Sequence, residues 1–486
     1  MSMKNLSLLT DLYELTMMQG YFRAKDANKT VVFDMFFRSN PFGGAYAICA
    51  GLAQLIEYIE NLRFTPEDVD YLRTTGLFAD DFLEYLLGFR FSGDIYAIPE
   101  GTVVFPREPL VKVIGPIMEA QLVETALLNL INHQSLIATK ASRVVYAAKG
   151  DGVMEFGLRR AQGPDAGIYG ARAAVIGGCV GTSNVLCGQL FGVPVKGTHA
   201  HSWIMSFPDE LTAFRTYARL YPGACILLVD TYDTLQSGVP NAIKVFKEMK
   251  EAGTPLTYFG IRLDSGDLAY LSKRAKEMLD EAGFPDAVIS ASNDLDEYLI
   301  ESLKRQGATI NSWGVGTNLI TSKDCPSFGG VYKLAAIQET DGTFTPKIKV
   351  SENAEKITNP GNKNIFRIYR KDVGKIIADL IALEDEEIET GKSLLLFDPI
   401  ETWKKTHLAP NSFTVRPLFV PVFKGGQCVY TSPTVMELRE TCKKELATLW
   451  EESLRFVNPH NVHVDLTRKL WNLRKELLDR YHFEET

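Results

Sequence analysis

A repeated order of strand and helix between about residues 136 and 350 limits the folds open to this chain. Short apolar runs with strand character alternate there with helix-like segments. The runs lie at 153–156, 193–196, 225–229, 257–263, 288–290, 310–315 and 330–334. Because parallel strands need a crossover connection, usually a helix, this order is typical of a parallel barrel or a doubly wound sheet.

Polar segments follow these strands at the points where the strands end. They read HAHS at 199–202, DTYD at 230–233, DSGD at 264–267, SND at 292–294 and GVGT at 314–317. In a parallel barrel the carboxyl ends of the strands share one face, and active sites lie there. The pattern therefore predicts a site assembled from these five segments.

The regions on either side of residues 136–350 have different sequence patterns. Residues 1–135 mix amphipathic helical patterns at 52–62 and 80–87 with strands at 31–37 and 93–97, and residues 351–486 begin with a polar loop and end in charged helices. A chain of 486 residues exceeds the usual size of one core. We therefore predict an N-terminal α/β domain at 1–135, a catalytic α/β domain at 136–350 and a supporting region at 351–486.

Composition excludes several classes of protein. The 60 acidic residues outnumber the 52 basic ones, which opposes a general nucleic-acid binder. No apolar run approaches the roughly 18 residues that span a bilayer, and residues 1–10 lack a signal-peptide pattern. Seven scattered cysteines without a CxxC pair favour reduced thiols. We expect a cytoplasmic protein without membrane or nucleic-acid partners.

Two adjacent arginines follow the strand at 153–156. Arg159 and Arg160 lie within the segment EFGLRRAQGPD at 155–165. The planar fork of a guanidinium matches phosphate and carboxylate oxygens, so a pair at a strand end suits pyrophosphate. A structural ion pair on a loop is the alternative.

The segment GIRLDSGD at 260–267 places one cation and two carboxylates at the end of another strand. Arg262 could pair with an anionic substrate, while Asp264 and Asp267 hold Mg²⁺ directly or through water. The alternative is a capped helix start, with Asp264 or Ser265 as the N-cap, Asp267 in the first turn and the helix running from Leu268. Both interpretations are compatible.

The turn GVGT at 314–317 presents consecutive backbone N–H groups and a hydroxyl that suit a phosphate. A short Gly-x-Gly is also an ordinary tight turn. Its place as the penultimate turn of a barrel-like region, before GGVY at 329–332, favours phosphate binding, because barrels often bind phosphate there.

Two histidines stand two residues apart in GTHAHS at 197–202. On an extended segment His199 and His201 would point the same way and could bind a metal, although no third ligand accompanies them. A nucleophilic or phosphorylated histidine is a second interpretation, and a histidine with a purely structural role is a third.

The segment LTDLYELTM at 9–17 predicts the start of a helix with Thr10 or Asp11 as its cap. Tyr13 in this helix is either a half-buried core aromatic or a ring that stacks on a ligand. The residues themselves leave both interpretations open.

Taken together, these segments resemble the nicotinate phosphoribosyltransferase family. The resemblance rests on TDLYELTM at 10–17, EFGLRRAQGPD at 155–165, GTHAHSW at 197–203, DTYDT at 230–234, RLDSGD at 262–267, SNDLDE at 292–297, GVGTNL at 314–319 and GGVYKL at 329–334. It implies an irregular, TIM-like α/β barrel of the type II phosphoribosyltransferase class beside an α/β sandwich domain. It also implies a homodimer with active sites near the subunit interface.

The resemblance implies roles for residues around the pyridine ring. Tyr13 looks like the aromatic that packs on this ring from the partner subunit, and Phe156 looks like the opposing wall. Thr198 and Arg262 resemble the residues that contact the nicotinate carboxylate.

Other residues match the family's contacts with the phosphoribosyl donor. Arg159 and Asp264 resemble those that face the donor, and Gly316 with Thr317 resemble those that hold its 5′-phosphate. His201 matches the histidine that this family phosphorylates with ATP, whereas His199 occupies a position that need not be histidine. The implied reaction converts nicotinate, phosphoribosyl pyrophosphate, ATP and water to nicotinate mononucleotide, pyrophosphate, ADP and phosphate in NAD salvage, with Mg²⁺ as cofactor.

Three alternative functions have to be weighed. Nicotinamide phosphoribosyltransferases carry an aspartate where this chain has Ser183, and an aspartate would repel the carboxylate of nicotinate. Quinolinate phosphoribosyltransferases have much shorter chains and need a denser basic pocket. A non-enzymatic nucleotide-binding barrel would be expected to lack Arg262, Asp264, His201 or the turn at 314–317, and all of these are present.

Overall fold

We describe the protein from a computed structural model. The structure describes residues 5–24, 29–353, 356–401 and 403–483. Residues 1–4, part of the N-terminal stretch considered above, lie outside the described residues.

The α-helices vary in length from single turns to more than six turns. Their bounds are α1 Leu12–Arg23, α2 Leu52–Asn61, α3 Pro66–Thr74, α4 Asp80–Leu87, α5 Ile117–Leu122, α6 Glu124–Ala147, α7 Pro164–Ile176, α8 Val185–Phe191, α9 His201–Met205, α10 Glu210–Leu220, α11 Val239–Glu251, α12 Leu268–Glu281, α13 Glu297–Arg305, α14 Thr317–Ile320, α15 Val435–Thr448 and α16 Arg468–Phe483. None of the helices in the described ranges is long and apolar enough to cross a membrane.

The β-strands belong to three large sheets and one two-stranded ribbon. Their bounds are β1 Thr30–Phe37, β2 Ala47–Ile48, β3 Asp94–Ala97, β4 Val103–Val104, β5 Val111–Pro116, β6 Gly152–Glu155, β7 Gly181–Thr182, β8 Cys225–Leu228, β9 Phe259–Leu263, β10 Val288–Ala291, β11 Ser312–Val315, β12 Gly330–Gln338, β13 Phe344–Pro346, β14 Lys363–Arg370, β15 Ile376–Leu383, β16 Leu394–Phe397, β17 Lys405–Leu408, β18 Phe413–Pro417, β19 Val420–Lys424, β20 Gln427–Cys428 and β21 His463–Leu466.

The chain divides into two compact units. The first unit comprises residues 1–136, 327–433 and 440–486, and the second comprises 137–326 and 434–439. Each unit therefore contains more than one stretch of the chain. Residues 351–433 and 440–486 belong to the first unit together with the N-terminal residues.

The second unit contains the parallel sheet that the strand–helix order predicts. Its six strands lie in the order β7-β6-β11-β10-β9-β8, and every neighbouring pair is parallel. Because β11 returns to lie beside β6, the strands follow a cyclic chain order, as in a barrel. The order breaks between β7 and β8, where Thr182 forms an isolated parallel bridge with Val195. The result is an irregular α/β barrel.

Two details of the strand prediction differ from the structure. The run at 193–196 contributes only the bridge at Val195 and forms no named strand. The run at 330–334 is part of β12, which pairs antiparallel with β1 in the first unit instead of joining the parallel sheet. Antiparallel pairing to a strand about 300 residues away leaves no local signal in the sequence.

The first unit contains the other two large sheets. A seven-stranded antiparallel sheet has the order β13-β12-β1-β5-β3-β19-β20, and a six-stranded mixed sheet has the order β17-β16-β21-β15-β14-β18. Buried polar contacts join the two sheets. The Lys112 Nζ on β5 donates to the Oδ1 of Asn362, the residue before β14, at 2.9 Å. The Lys363 Nζ on β14 lies 2.7 Å from the Asp34 Oδ2 on β1.

Candidate active site

One cavity of about 460 Å³ lies at the carboxyl ends of the parallel strands in the second unit. Most of the predicted site residues line it, but Tyr13, His201 and Asp267 do not. Several of the lining residues had no predicted role. The lining comprises Phe156, Arg159, Arg160, Ser183, Gly197, Thr198, His199, Ala200, Arg262, Asp264, Ser292, Asn293, Asp294, Gly314, Gly316 and Thr317. Four of the five predicted strand-end segments therefore contribute to one cavity, whereas no residue of the segment at 230–233 is among its lining residues.

The Phe156 ring forms one wall of the cavity. The residue follows β6, and its N–H donates to the Val315 carbonyl at 2.8 Å. A Cβ at Gly314 would lie 2.6 Å from two ring carbons of Phe156, so only glycine allows the ring to lie against β11. The ring is thereby held as a flat apolar surface suited to another aromatic ring.

The buried Glu155 organises the backbone beside Phe156. Its carboxylate accepts from the Thr182 hydroxyl at 2.5 Å and from the Gly157 N–H. Its carbonyl accepts from the Ser183 N–H at 3.0 Å, which places Ser183 at the cavity. Burial raises the pKa of the Glu155 carboxyl. Glu155 lies inside the segment EFGLRR, but its role depends on the partner Thr182, which the local sequence cannot indicate.

Arg262 supplies a cation at the floor of the cavity. It is the partly exposed residue of the otherwise buried strand β9, and its Nη1 donates to the Thr198 Oγ1. Its Nε is buried and has no hydrogen-bond partner. Burial lowers the pKa of Arg262, although Asp264 and Asp230 oppose this effect. The site thus holds a desolvated cation with a donor still available.

Asp264 is held in place by residues from two neighbouring strand ends. Its N–H donates to the Asp230 Oδ2 at 2.9 Å, and Ser265 donates its hydroxyl to the same oxygen at 2.6 Å. The Ser292 hydroxyl donates to the Asp264 Oδ1. Asp230 and Ser292 had no predicted role, although both lie in strand-end segments that the sequence analysis singled out.

Asp267 serves as a helix cap. The helix α12 starts at Leu268, as predicted, but its N-cap is Asp267 and not Asp264 or Ser265. The Asp267 Oδ1 accepts from the Tyr270 N–H at 3.0 Å. The structure does not bring Asp267 into the cavity lining with Asp264.

The two histidines of the segment 199–202 have different surroundings. His201 is the first residue of α9, its Nδ1 lies 3.0 Å from the Thr231 Oγ1, and its Nε2 lies 3.7 Å from the Asp264 Oδ2. Its side chain is 39% exposed and therefore accessible. Thr231 belongs to the segment DTYD, in which no role had been assigned to it.

His199 is packed against the protein. Its Nε2 accepts from the Leu228 N–H at 3.4 Å, and its ring meets the Tyr217 ring at a centroid distance of 4.5 Å. Burial lowers the pKa of His199 to about 4, and the neighbouring Arg262 adds to the effect. His199 is thus neutral at physiological pH. The two imidazoles have separate partners, which does not fit a shared metal ion.

Gly316 and Thr317 form the turn at the end of β11. The Gly316 carbonyl accepts from the N–H groups of Leu319 and Ile320 at 3.2 and 3.1 Å, so this residue caps the single-turn helix α14. Both Gly316 and Thr317 line the cavity. Backbone N–H groups and a hydroxyl at such a turn suit a phosphate.

Tyr13 lies in the first unit, on α1, where it is 46% exposed. The helix starts after Asp11, one of the two predicted caps, but the Asp11 side chain makes no capping hydrogen bond. Leu9, Leu12 and Met17 are also exposed large apolar residues in this segment.

Comparison with known proteins agrees with this geometry. Sequence models of the nicotinate phosphoribosyltransferase N-terminal domain, family and C-terminal domain match residues 8–132, 152–367 and 362–474. The chain is 47% identical over 468 residues to nicotinate phosphoribosyltransferase from Bacillus subtilis, covering 96% of this chain and 94% of the relative.

A solved structure extends the similarity to the fold. The crystal structure of human nicotinic acid phosphoribosyltransferase aligns with a TM-score of 0.82 at 32% identity, covering 96% of this chain and 99% of the human chain. The nicotinate-nucleotide pyrophosphorylase from Pyrococcus furiosus shares the fold, with a TM-score of 0.68 at 22% identity. The expected type II phosphoribosyltransferase architecture is confirmed, and the chain belongs to the nicotinate phosphoribosyltransferase family.

Proposed function

We propose that the chain joins nicotinate to phosphoribosyl pyrophosphate, with hydrolysis of ATP, to form nicotinate mononucleotide in NAD salvage. The observation that carries this proposal is the floor of the cavity, where a partly buried arginine with a buried, unpartnered Nε lies beside the Thr198 hydroxyl and the Phe156 ring. A cation, a hydroxyl and a flat apolar wall together suit an aromatic carboxylate.

The transfer step requires the pyridine nitrogen close to C1 of the ribose. The nitrogen lone pair forms the new bond to C1, while the C1–O bond breaks and its electron pair leaves with pyrophosphate. No proton has to move, because the nitrogen becomes a pyridinium. Phe156, Thr198 and Arg262 would orient nicotinate, which brings the reacting atoms together and lowers the entropic barrier.

Cationic and backbone groups would stabilise the departing pyrophosphate. Arg159 lines the same cavity and is exposed to it, and Gly316 with Thr317 offers the phosphate turn. Positive groups aimed at developing negative charge are effective because they need no reorganisation during the reaction.

Asp264 fits a role as ligand of Mg²⁺. Its carboxylate is 37% exposed to the cavity, and Mg²⁺ usually takes one or two carboxylates together with substrate phosphates and water. Asp294 also lines the cavity. When bound, the ion would neutralise part of the pyrophosphate charge. Asp267 would act only through water, since one of its oxygens already caps α12.

His201 is the proposed site of phosphorylation by ATP. In the tautomer that donates the Nδ1 proton to Thr231, the Nε2 keeps its lone pair and faces Asp264. The Nε2 would bond to the γ-phosphorus while the bond from phosphorus to ADP breaks, and water would later release phosphate. Asp264 would stabilise the positive charge that the ring acquires.

Ser183 favours nicotinate over nicotinamide as the substrate. Its neutral side chain lines the cavity that contains Arg262. An aspartate at this position would repel the nicotinate carboxylate and would instead accept a hydrogen bond from an amide.

The proposal includes a homodimer in which α1 of each subunit contributes Tyr13 to the partner's site. The exposed Leu12, Tyr13 and Met17 support it, because a cluster of exposed apolar side chains is typical of a contact surface.

Residues 136–350 are proposed as the catalytic region and 351–486 as its support. Five free thiols, Cys49, Cys179, Cys187, Cys225 and Cys428, support a reducing, cytoplasmic location.

Synthesis of nicotinate mononucleotide with and without ATP tests the reaction. The expected result is ATP-stimulated product from nicotinate and much less product from nicotinamide. Preference for nicotinamide would select the amide-using alternative, and no turnover with either base would select the non-enzymatic barrel.

A labelling experiment tests His201. We expect the protein to acquire labelled phosphate from γ-labelled ATP at neutral pH. This label should disappear on brief acidification, because the phosphoramidate of a phosphohistidine is acid-labile. His201→Ala should abolish the label and the ATP stimulation but retain slow ATP-independent synthesis. The matched variant His199→Ala should keep the label. Phosphate found on His199, or ATP stimulation without phosphate on either histidine, would contradict the assignment.

Mixed dimers test the contribution of Tyr13. Tyr13→Ala and Arg262→Ala subunits should each be weak as homodimers. If α1 serves the partner's site, a mixed dimer contains one intact site, so mixing should restore part of the activity. Absence of any recovery in dimers shown to be mixed would place Tyr13 outside the partner's site.

A further inference from the structure

A second polar cavity, of about 340 Å³, lies in the first unit at one end of the mixed sheet. It is lined by Asp398, Trp403, Lys404, Lys405, Thr406, His463 and Asp465. Asp398 directly follows β16, His463 and Asp465 lie on β21, and the neighbouring strand β17 begins at Lys405. The nicotinate and phosphate chemistry proposed for the second unit uses none of these residues.

Three of the lining side chains present metal-ligating atoms to one another. One atom each from Asp398, His463 and Asp465 lies within 4.8 Å of the other two. His463 and Asp465 are two residues apart on β21, so their side chains project from the same face of the sheet. The Asp398 Oδ2 lies 3.9 Å from the His463 Nδ1.

Asp398 is fixed in this position by its own loop. Its Oδ1 accepts from the N–H groups of Ile400 and Glu401 at 2.8 and 2.9 Å. The other carboxylate oxygen, Oδ2, therefore remains directed at His463. A ligand oriented in this way by backbone donors loses little freedom on binding an ion.

Asp465 gives a second observation that points to a ligand. It is only 3% exposed, and among the residues that the structure describes none donates a hydrogen bond to its carboxylate. The two lysines of the cavity have their direct contacts outside the cluster, since Lys404 pairs with Glu401 and the Lys405 Nζ lies over the Phe397 ring, although Asp398 also attracts Lys404. A buried carboxylate without a partner is costly.

The geometry points to a divalent transition-metal site formed by Asp398, His463 and Asp465. One imidazole and two carboxylates form a mixed nitrogen and oxygen donor set, and zinc accepts three such ligands with water in the fourth position. Zinc with bonds of about 2.1 Å places its ligands about 3.4 Å apart, so the three atoms must approach by roughly 1 Å. His463, which is 46% exposed, has room to turn. A bound ion would tie the loop after β16 to β21.

Zinc titration of the full-length protein tests the site. Zinc is removed with a chelator, and the stoichiometry of rebinding is measured by equilibrium dialysis and calorimetry for the wild type, His463→Gln and Asp465→Asn. We expect each variant to bind one zinc fewer than the wild type. Because even partners of metal ligands contribute about 10- to 100-fold in affinity, loss of a ligand should weaken this zinc more than about 100-fold. Any zinc held by the catalytic cavity remains in all three proteins.

His407→Gln is the matched control. This exposed histidine lies on the neighbouring strand β17 but outside the cluster, so its replacement should leave the stoichiometry unchanged. Synthesis of nicotinate mononucleotide should also persist in the cluster variants, which separates failure of this site from failure of the proposed function.

A measurement on the wild type alone avoids dependence on folding of the variants. Diethyl pyrocarbonate modifies accessible histidines, and peptide mass spectrometry locates the product. Zinc should protect His463 and leave His407 reactive. Equal zinc stoichiometry in the wild type and both folded variants, or reaction at His463 that zinc does not change, would overturn the proposal.

Discussion

Two arginines, one in each unit, have contrasting surroundings. Arg367 in the first unit is fully buried and every arm of its guanidinium is paired. Its Nε and Nη2 donate to the two Asp379 oxygens at 2.8 and 2.6 Å, its Nη1 donates to Glu445 at 2.9 Å, and its Nη2 also reaches the Val103 carbonyl at 2.7 Å. These contacts join β14, β15, β4 and α15.

Arg262 in the second unit has far fewer partners. The Nη1 of Arg262 donates to Thr198, but its Nε has no hydrogen-bond partner. Two further buried atoms of the same site, the His199 Nδ1 and the Asp230 Oδ1, also have no hydrogen-bond partner. Buried polar atoms are normally paired, so unpaired ones beside a cavity can donate to or accept from a ligand. The contrast separates a charge that maintains the fold from a charge that we propose binds substrate.

Removing Arg367 should produce the largest loss of stability. Arg367→Met leaves Asp379 buried without its cation and Glu445 with Arg416 alone, which should lower the free energy of unfolding by about 3–5 kcal/mol. Urea denaturation measures this change. Arg370→Met is the control, because Arg370 is 54% exposed and pairs only at the surface, so a change within about 0.5 kcal/mol is expected. Equal effects of the two substitutions would contradict the contrast.

Removing Arg262 should instead impair catalysis. Arg262→Ala loses a charged hydrogen bond of about 1.5–3 kcal/mol, which corresponds to roughly 10- to 150-fold in kcat/KM for nicotinate. The free energy of unfolding should change much less than in Arg367→Met. Arg215→Ala, which removes an exposed arginine paired with Glu248, is the matched control and should be fully active. A fully active Arg262→Ala enzyme would defeat the pocket assignment.

A smaller effect on the use of nicotinate is expected from a change at Ser183, because this change adds a negative charge and does not remove the positive charge of Arg262. Ser183→Asp places a carboxylate in the cavity that we propose receives nicotinate, and repulsion of about 1 kcal/mol should weaken nicotinate use several-fold. Steady-state kinetics with nicotinate and nicotinamide measure the selectivity. Ser183→Asn controls for size without charge and should retain more nicotinate activity than the aspartate variant. Unchanged kinetics in Ser183→Asp would remove Ser183 from the site.

The sequence predicted the site well wherever parallel strands carry it. Phe156 and Gly316 follow β6 and β11, and Arg262 lies near the end of β9. They line one cavity because the carboxyl ends of parallel strands meet at the same face. Only the order of strands and helices is needed for this inference. The bounds of these strands follow from short apolar runs, which local composition reveals.

The hydrogen bonds that orient the site residues could not be predicted, because they join residues that lie far apart in the sequence. The Ser292–Asp264 hydrogen bond and the Thr182–Glu155 hydrogen bond each join residues more than 25 positions apart. The capping role of Asp267 depends on the dihedral angles of one turn. Similarly, Asp398 meets Asp465 only because β16 pairs with β21. No periodicity in the sequence encodes such pairings.

The smallest predicted effect concerns His199, which is buried and neutral beside Arg262. Burial lowers its pKa from 6.5 to about 4, so between these values the unfolded chain binds a proton that the folded chain does not. The free energy of unfolding should therefore fall as the pH drops from about 6.5 towards 4, with a contribution on the order of 0.5 kcal/mol between pH 7 and pH 6. His199→Phe keeps an aromatic ring against Tyr217 but cannot titrate. Urea denaturation at several pH values should give a shallower dependence in this variant than in the wild type, whatever its absolute stability. If the free energy of unfolding depended on pH equally in the two proteins, His199 would have the same pKa in the folded and unfolded states. The unpaired Nδ1 would then lie in a more polar environment than the packing of the ring indicates.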